Sequence, residues 1–259
     1  MSREERYQTR LALDEADLRA AHRLRYQVFV TEMGADGPLV DHAAREERDA
    51  FDPYFDQLVL IDTSRDPRNL DHVVGAYRLM PGDRLAQAGR FYSEDEFDLS
   101  RLKASGRRLL ELGRSCIHAD HRGGSGMLLL WNALARYVTE RDIEVLFGAA
   151  SFPGTDLDAL ALPLSFLHHN HLAPEAMRVY AHGPHAVPTD MLPPEQISRP
   201  DALKMVPALI KAYLRLGGAV GQGAYVDHAF NTTDICLVVD TSKMSGRHRD
   251  FYTRKAIPV

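Results

Sequence analysis

A mixed α/β fold with one central sheet flanked by helices is what this sequence predicts, on three observations. Short apolar runs of strand length alternate with longer stretches of helical period. A strand, a glycine loop, a helix and a second strand follow one another through residues 109–150, the order of a βαβ unit. Apolar residues make up 45% of the 259-residue chain and charged residues 26%, the balance of a globular protein with a full core.

The elements follow in order. Leu13 to Val30 reads as a helix with Asp14 as N-cap, and Leu18, Ala21, Leu24 and Val28 mark one face. Residues 34–50 are polar and turn-rich and read as a mobile loop. Gln57 to Asp62 and His72 to Leu79 are expected strands, joined through the turn-like Ser64-Arg-Asp-Pro-Arg-Asn69. Leu109 to His118 is a third. Gly126 to Arg141 is a helix burying Met127, Leu130, Trp131, Leu134 and Val138. Glu144 to Ala150 returns as a strand. Residues 152–200 hold most of the prolines and many histidines and read as an irregular insertion in a single domain spanning 1–259. Ala202 to Leu216 is a helix stopped by Gly217-Gly218. Ala224 to His228 and Ile235 to Val239 are closing strands.

Composition narrows the function. A net charge of −5 argues against a nucleic-acid binder, which carries a basic face. Two cysteines, Cys116 and Cys236, in apolar runs read as small buried hydrophobes rather than a disulfide framework. The start, Met1-Ser-Arg-Glu-Glu-Arg6, lacks the apolar core of a signal peptide, and no run reaches the roughly 18 apolar residues of a membrane span. The expected location is cytoplasmic, with any contact to the inner membrane made from its surface.

Several charged positions could carry chemistry. Arg122-Gly-Gly-Ser-Gly126 sits between an expected strand and its helix, where free backbone N–H groups bind phosphate; a plain tight turn fits the spacing equally well. Glu111 and Arg114 lie three apart on one strand, so only a bulge or twist brings both to one cleft. Asp49 and Asp52 flank Phe51; they either recognise a cationic group or pair with Arg25 or Arg78. Arg78, among apolar neighbours in a strand, calls for a carboxylate partner. Asp227, His228 and the Asn231-Thr-Thr-Asp234 run either line an acceptor site or form a capped hairpin. His168-His169-Asn-His171 invites zinc, but adjacent histidines rarely converge tetrahedrally, so no metal is expected. Ser115 precedes no helix and lacks the Gly-x-Ser-x-Gly setting of a nucleophile.

Four segments, Arg25-Tyr-Gln-Val-Phe29 with Glu32-Met-Gly34, Asp49-Ala-Phe-Asp52, Gly75-Ala-Tyr-Arg78 and Glu111-Leu-Gly-Arg114-Ser115, resemble the acyl carrier protein-dependent N-acyltransferases, a GNAT branch that includes the acyl-homoserine-lactone synthases. The later runs Ala150–Asp156, Ala161–His169 and Asp227–Asp234 resemble the ornithine N-acyltransferases, the lyso-ornithine lipid synthases, alone. The resemblance covers nearly the whole chain. It implies the GNAT fold, ornithine as acceptor and the acyl-phosphopantetheine of acyl carrier protein as donor, with no other cofactor. It implies Glu111 as general base with Arg114 and Ser115 beside it. Arg25, Phe29, Asp49, Asp52, Arg78, Asp227 and His228 would shape the acceptor cleft, and Arg122, Gly123, Gly124, Ser125 and Gly126 would hold the donor phosphate. Arg101, Lys103, Arg107 and Arg108, with Arg122, are the expected docking cations. Arg247, Arg249, Arg254 and Lys255 form a second basic cluster suited to anionic headgroups. Glutamine as acceptor, lactone synthesis, and a non-catalytic carrier-protein or membrane-surface module remain open.

Overall fold

A computed structural model describes residues 6–243. Its strands are β1 (Tyr7–Leu11), β2 (Asp56–Asp62), β3 (Val73–Pro81), β4 (Phe97–Asp98), β5 (Leu109–Ile117), β6 (Val145–Pro153), β7 (Tyr180–Ala181), β8 (Ala186–Val187), β9 (Ala219–Val220), β10 (Ala224–Asp227) and β11 (Thr232–Asp240). Its longer helices are α1 (Glu15–Arg25), α2 (Gly126–Glu140), α3 (Leu157–His171), α4 (Arg199–Met205) and α5 (Ala208–Arg215). The described residues form two compact units, 6–88 with 112–142 and 89–111 with 143–243, and β5 contributes residues to each.

In the first unit β1, β2 and β3 pair antiparallel in sequence order, and β3 neighbours β5. On one side Ala20, Ala21, Leu24 and Val28 bury against Val59, Ile61, Val73, Ala76 and Cys116. Ala21, Leu24 and Val28 are the positions that the sequence period marks, whereas Leu18, expected on the same face of α1, is exposed and Ala20 is buried there instead. Asp14 caps that helix as expected, its carboxylate accepting from the Asp17 N–H at 2.9 Å. The helix does not simply run on to Val30. Residues Tyr26–Glu32 continue as a π-helix, a wider turn that is often found at functional sites. On the other side of the sheet α2 comes close. A Cβ on Gly75 would lie 2.7 Å from Ile117 Cδ1 and 3.1 Å from Leu130 Cδ1, and one on Gly126 would lie 3.1 Å from Leu60 Cδ2. Only glycine admits that approach.

In the second unit the start of β5 pairs parallel with β6 over three residues, Leu109–Glu111 against Val145–Phe147. From there β6 pairs antiparallel with β11 along its whole length, β11 with β10, and β10 with β8. The sheet is therefore mixed, as expected. Residues 152–200 are more regular than their prolines suggest. Asp156 caps the 15-residue α3, which buries Leu164, Phe166 and Leu167, with Pro163 inside it. The helix expected at 202–216 is two, α4 and α5, because Pro207 has no N–H to continue the ladder. Cys116 and Cys236 are both free and buried.

Candidate active site

The first unit carries a six-residue ionic network. Arg25, fully buried on the last turn of α1, donates Nε to Glu47 Oε2 at 2.6 Å and its two terminal nitrogens to Asp52 at 2.5 and 3.1 Å. Arg78 on β3 donates to Asp49 Oδ2 at 2.6 Å and to Asp52 Oδ1 at 3.3 Å, and its guanidinium lies 4.1 Å from the Phe55 ring centre. Arg114 on β5 reaches Glu47 at 3.3 Å and Asp49 at 3.4 Å. Three guanidinium groups thus meet three carboxylates. Burial alone would raise Glu47, but Arg25 and Arg114 outweigh it and hold its pKa at about 2. Asp52 is held below its ordinary value in the same way by Arg25 and Arg78. Asp49 and Asp52 are therefore committed to arginines. The ion-pair reading of that pair holds.

Arg114 has φ +49°, a left-handed conformation inside a strand and a cost of order 1 kcal/mol for a non-glycine residue. It marks the local break in β5 that the Glu111 to Arg114 spacing requires. A guanidinium contact at 6.0 Å puts half-buried Phe29 of the π-helix beside Arg114. Ser115 Oγ is buried with no hydrogen-bond partner among the described residues, so nothing there activates it as a nucleophile.

Glu111, in the second unit, is 1% exposed, and its oxygens accept from the Tyr92 and Ser93 N–H groups at 2.9 and 2.6 Å. Those two bonds make the carboxylate an anchor of the turn Tyr92–Asp95.

The loop from Arg122 to Gly126 lies in the first unit. Arg122 donates to the Ile117 carbonyl at 2.9 Å and pairs with Glu32 at 2.6 Å, so its charge is locally met. Gly123 has φ +74°, and no side chain caps the start of α2 at Ser125. A helix start without a side-chain cap leaves first-turn N–H groups without an intrahelical partner, the kind of donor an anion site uses.

Of the other expected cations, Arg107 is bidentate to Asp240, Arg108 lies 4.0 Å from Glu144, Lys103 pairs with Glu94 and Arg101 with Glu175. The patch is thus balanced by local acids. Arg247, Arg249, Arg254 and Lys255 lie outside the described residues. Asp227 Oδ1 accepts from the Ala229 and Phe230 N–H groups and shapes the β10–β11 turn. His228 is exposed, with its ring 5.1 Å from that of His185. His168 and His169 bond to Thr189 and to the Leu192 carbonyl rather than converging on one point.

Sequence reasoning missed Glu47, which bridges Arg25 and Arg114, and Glu96, which meets Asp227 and Asp234 in a trio of carboxylates. Glu47 stands in the polar 34–50 stretch, where nothing in local pattern sets one acid apart. Only the demand of buried arginines for partners could have singled it out.

A mixed sheet of this order, broken at β5 and followed by an uncapped helix start, defines a GNAT-fold acyltransferase. Residues 24–132 match the family described as acetyltransferase (GNAT) domain. Over 249 residues the chain is 58% identical to the L-ornithine N(alpha)-acyltransferase of Rhodobacter capsulatus, covering 96% of this chain and 95% of that protein. Against the enzyme of the same name from Brucella abortus it is 40% identical, covering 96% and 89%. The chain belongs to the L-ornithine N(alpha)-acyltransferase family. Among solved structures it shares its fold with the acyl-homoserine lactone synthase LasI (TM-score 0.53, 15% identity, covering 98% of this chain and 97% of that one). It also shares it with FeeM, an N-acyl amino acid synthase from uncultured soil microbes (TM-score 0.51, 12% identity, covering 92% of each).

Proposed function

We propose that this chain moves a 3-hydroxyacyl group from acyl carrier protein to the α-amine of L-ornithine, giving lyso-ornithine lipid. The observation that carries the reading is the 58% identity, over nearly the full length of both chains, to an enzyme named for that acceptor. The amine attacks the thioester carbonyl directly. A C–N bond forms, the C–S bond breaks, and the proton that the attacking amine loses passes through water to the departing thiolate. Backbone N–H groups of β5 next to its Arg114 break would hold the oxyanion. Arg114 and Arg78, held rigid by their carboxylates, orient the acceptor. Glu111 takes a positioning part through the turn it anchors. The N–H groups of the Gly123–Gly126 loop receive the single phosphate of the phosphopantetheine arm. Ser125 and Met127 stand where coenzyme A-dependent relatives usually carry small residues, which favours a carrier-bound donor. Among the described residues no helix is long and apolar enough to cross a membrane. Work in the cytoplasm with peripheral contact at the inner membrane belongs to this reading.

The test is mass spectrometry of products from purified chain given 3-hydroxyacyl carrier protein or the matching acyl-CoA, with ornithine, glutamine or S-adenosylmethionine. N-acylornithine made faster from the carrier protein is the expected result. Acylglutamine would move the acceptor, a homoserine lactone would move the family branch, and no product with any acceptor would revive the binding-module reading.

A further inference from the structure

A carrier-bound donor needs a positive surface to meet, because acyl carrier proteins are acidic and this chain has a net charge of −5. The cations first expected to supply that surface are matched locally, Arg107 by Asp240, Lys103 by Glu94 and Arg101 by Glu175. A different set of arginines stands in the first unit. Arg23 of α1, Arg45 of the loop before β2 and Arg65 of the β2–β3 connection line a cavity of about 170 Å³, together with His118 just past β5. Its floor is apolar, since Ala20, Leu24 and Val73 are buried there. Asp71 is the one carboxylate in the lining among the described residues, so the cavity holds an excess of two positive charges.

Two of the three guanidinium groups are unmatched. Among the described residues Arg23 donates to the Asn69 carbonyl at 3.4 Å and Arg45 lies 5.9 Å from the Tyr26 ring centre, and neither has a carboxylate within ion-pair distance. Arg65 reaches Asp71 at 3.6 Å and Asp62 at 3.8 Å, but Asp62 is held more closely by Arg6, at 2.7 Å. Arginine keeps its charge at every working pH, so the excess is permanent. The volume also says what fits. Small-molecule sites begin at roughly 300 Å³, and a space of this size suits one acidic side chain of a larger partner. The cavity adjoins the Gly123–Gly126 loop. Arg65 Nη2 lies 3.3 Å from His121 Nε2, and the His121 carbonyl lies 3.6 Å from where a Cβ on Gly126 would stand. A protein partner covers about 20–30 residues, so one that brings a phosphate to that loop spans the cavity as well.

Resting on the carrier-protein reading, we propose that the acyl carrier protein docks over this cavity, an acidic side chain seated between Arg23, Arg45 and Arg65 while its phosphopantetheine phosphate meets the Gly123–Gly126 loop. A guanidinium gives a carboxylate two parallel hydrogen bonds, and three of them around one small space accept it in several orientations. The local excess steers an acidic partner toward a chain that would otherwise repel it.

The experiment measures KM for acyl carrier protein and for the matching acyl-CoA across a salt series, with ornithine as acceptor. It uses full-length wild type, Arg23→Glu and Arg45→Glu, with thermal melts of each. Arg136→Glu is the control, an exposed cation of α2 outside the cavity lining. The KM for the carrier protein should rise about tenfold in each cavity variant and lose much of its salt dependence. The kcat, the KM for ornithine and the KM for acyl-CoA should hold, and Arg136→Glu should match wild type. Calorimetric titration with acyl carrier protein reads the same change where turnover of acyl-CoA is too slow to measure. An unchanged carrier KM in both cavity variants, from a wild type that prefers the carrier-bound donor, overturns the docking site and leaves the carrier-protein reading standing. An equal loss with acyl-CoA makes the arginines structural, and an equal rise in Arg136→Glu makes the effect one of net charge; either overturns it. Loss of binding to phosphatidylglycerol vesicles with the carrier KM unchanged makes the cavity a headgroup site and overturns it too. A wild type that uses acyl-CoA as well as the carrier-bound donor sinks both readings together.

Discussion

Each oxygen of the Glu111 carboxylate accepts a backbone N–H, so the group anchors a turn. Replacing it by glutamine sets an amide NH₂ against one of those N–H groups, so Glu111→Gln should lose about 1–3 kcal/mol of stability as well as activity. The pH profile of kcat/KM separates the two parts that Glu111 could take. A positioning residue leaves the shape of the profile intact while lowering it; a general base removes its acid limb. Arg25 makes the opposite case. Its removal takes from buried Glu47 and Asp52 the nearer of their two arginine partners, so Arg25→Ala should cost about 3–5 kcal/mol by denaturant titration. A loss under 1 kcal/mol would show that the network rearranges freely. At this scale the sequence named the arginines and two of their partners, Asp49 and Asp52, but missed the third, Glu47. A buried arginine needs an acid, and the acid that serves Arg114 and Arg25 at once, Glu47, stands 67 and 22 residues away along the chain.

Elements were more legible where a local rule decided them. Asp14 and the spacing of Ala21, Leu24 and Val28 fixed α1, because capping and period act within a few residues. Asp14→Ala should therefore cost about 1 kcal/mol, a fall in Tm of roughly 2–4 °C, and Asp14→Ser should keep most of it; equal losses in both would mean that the cap contributes nothing. Where tertiary context decided, local reading failed. The π-turn after Arg25 departs from the α-helix that the sequence period predicts on to Val30, and nothing in Tyr26–Glu32 announces it. The prolines of 152–200 suggested irregularity, yet Asp156 and an apolar run outweigh Pro163 and give α3. The left-handed turn at Arg114 is held by two ion pairs made far from it in sequence.

Across the whole molecule the net charge of −5 conceals how its charges are spent on one another. Arg107 reads as a docking cation until Asp240, 133 residues on, closes on it with two hydrogen bonds. Reversing its charge would test folding before it tested docking. The same commitment predicts how the protein responds to acid. Glu47 has its folded pKa depressed to about 2 from an ordinary 4.5, burial being outweighed by Arg25 and Arg114. A depressed group binds protons less readily in the folded state than in the unfolded one, so its contribution is complete above about pH 4.5 and is lost as pH falls toward 2. The size is of order 3 kcal/mol. Asp52 is depressed by Arg25 and Arg78 and adds in the same direction. Half-buried His22 is lowered by burial and then by Arg25. Thermal melts should therefore be nearly level from pH 8 to about 5.5 and fall steeply below about 4.5. Glu47→Gln should start lower at pH 7, because Arg25 and Arg114 lose a counter-charge, and then fall less steeply in acid. Parallel acid limbs in the two proteins would mean that Glu47 titrates normally and that the arginine network does not hold its charge.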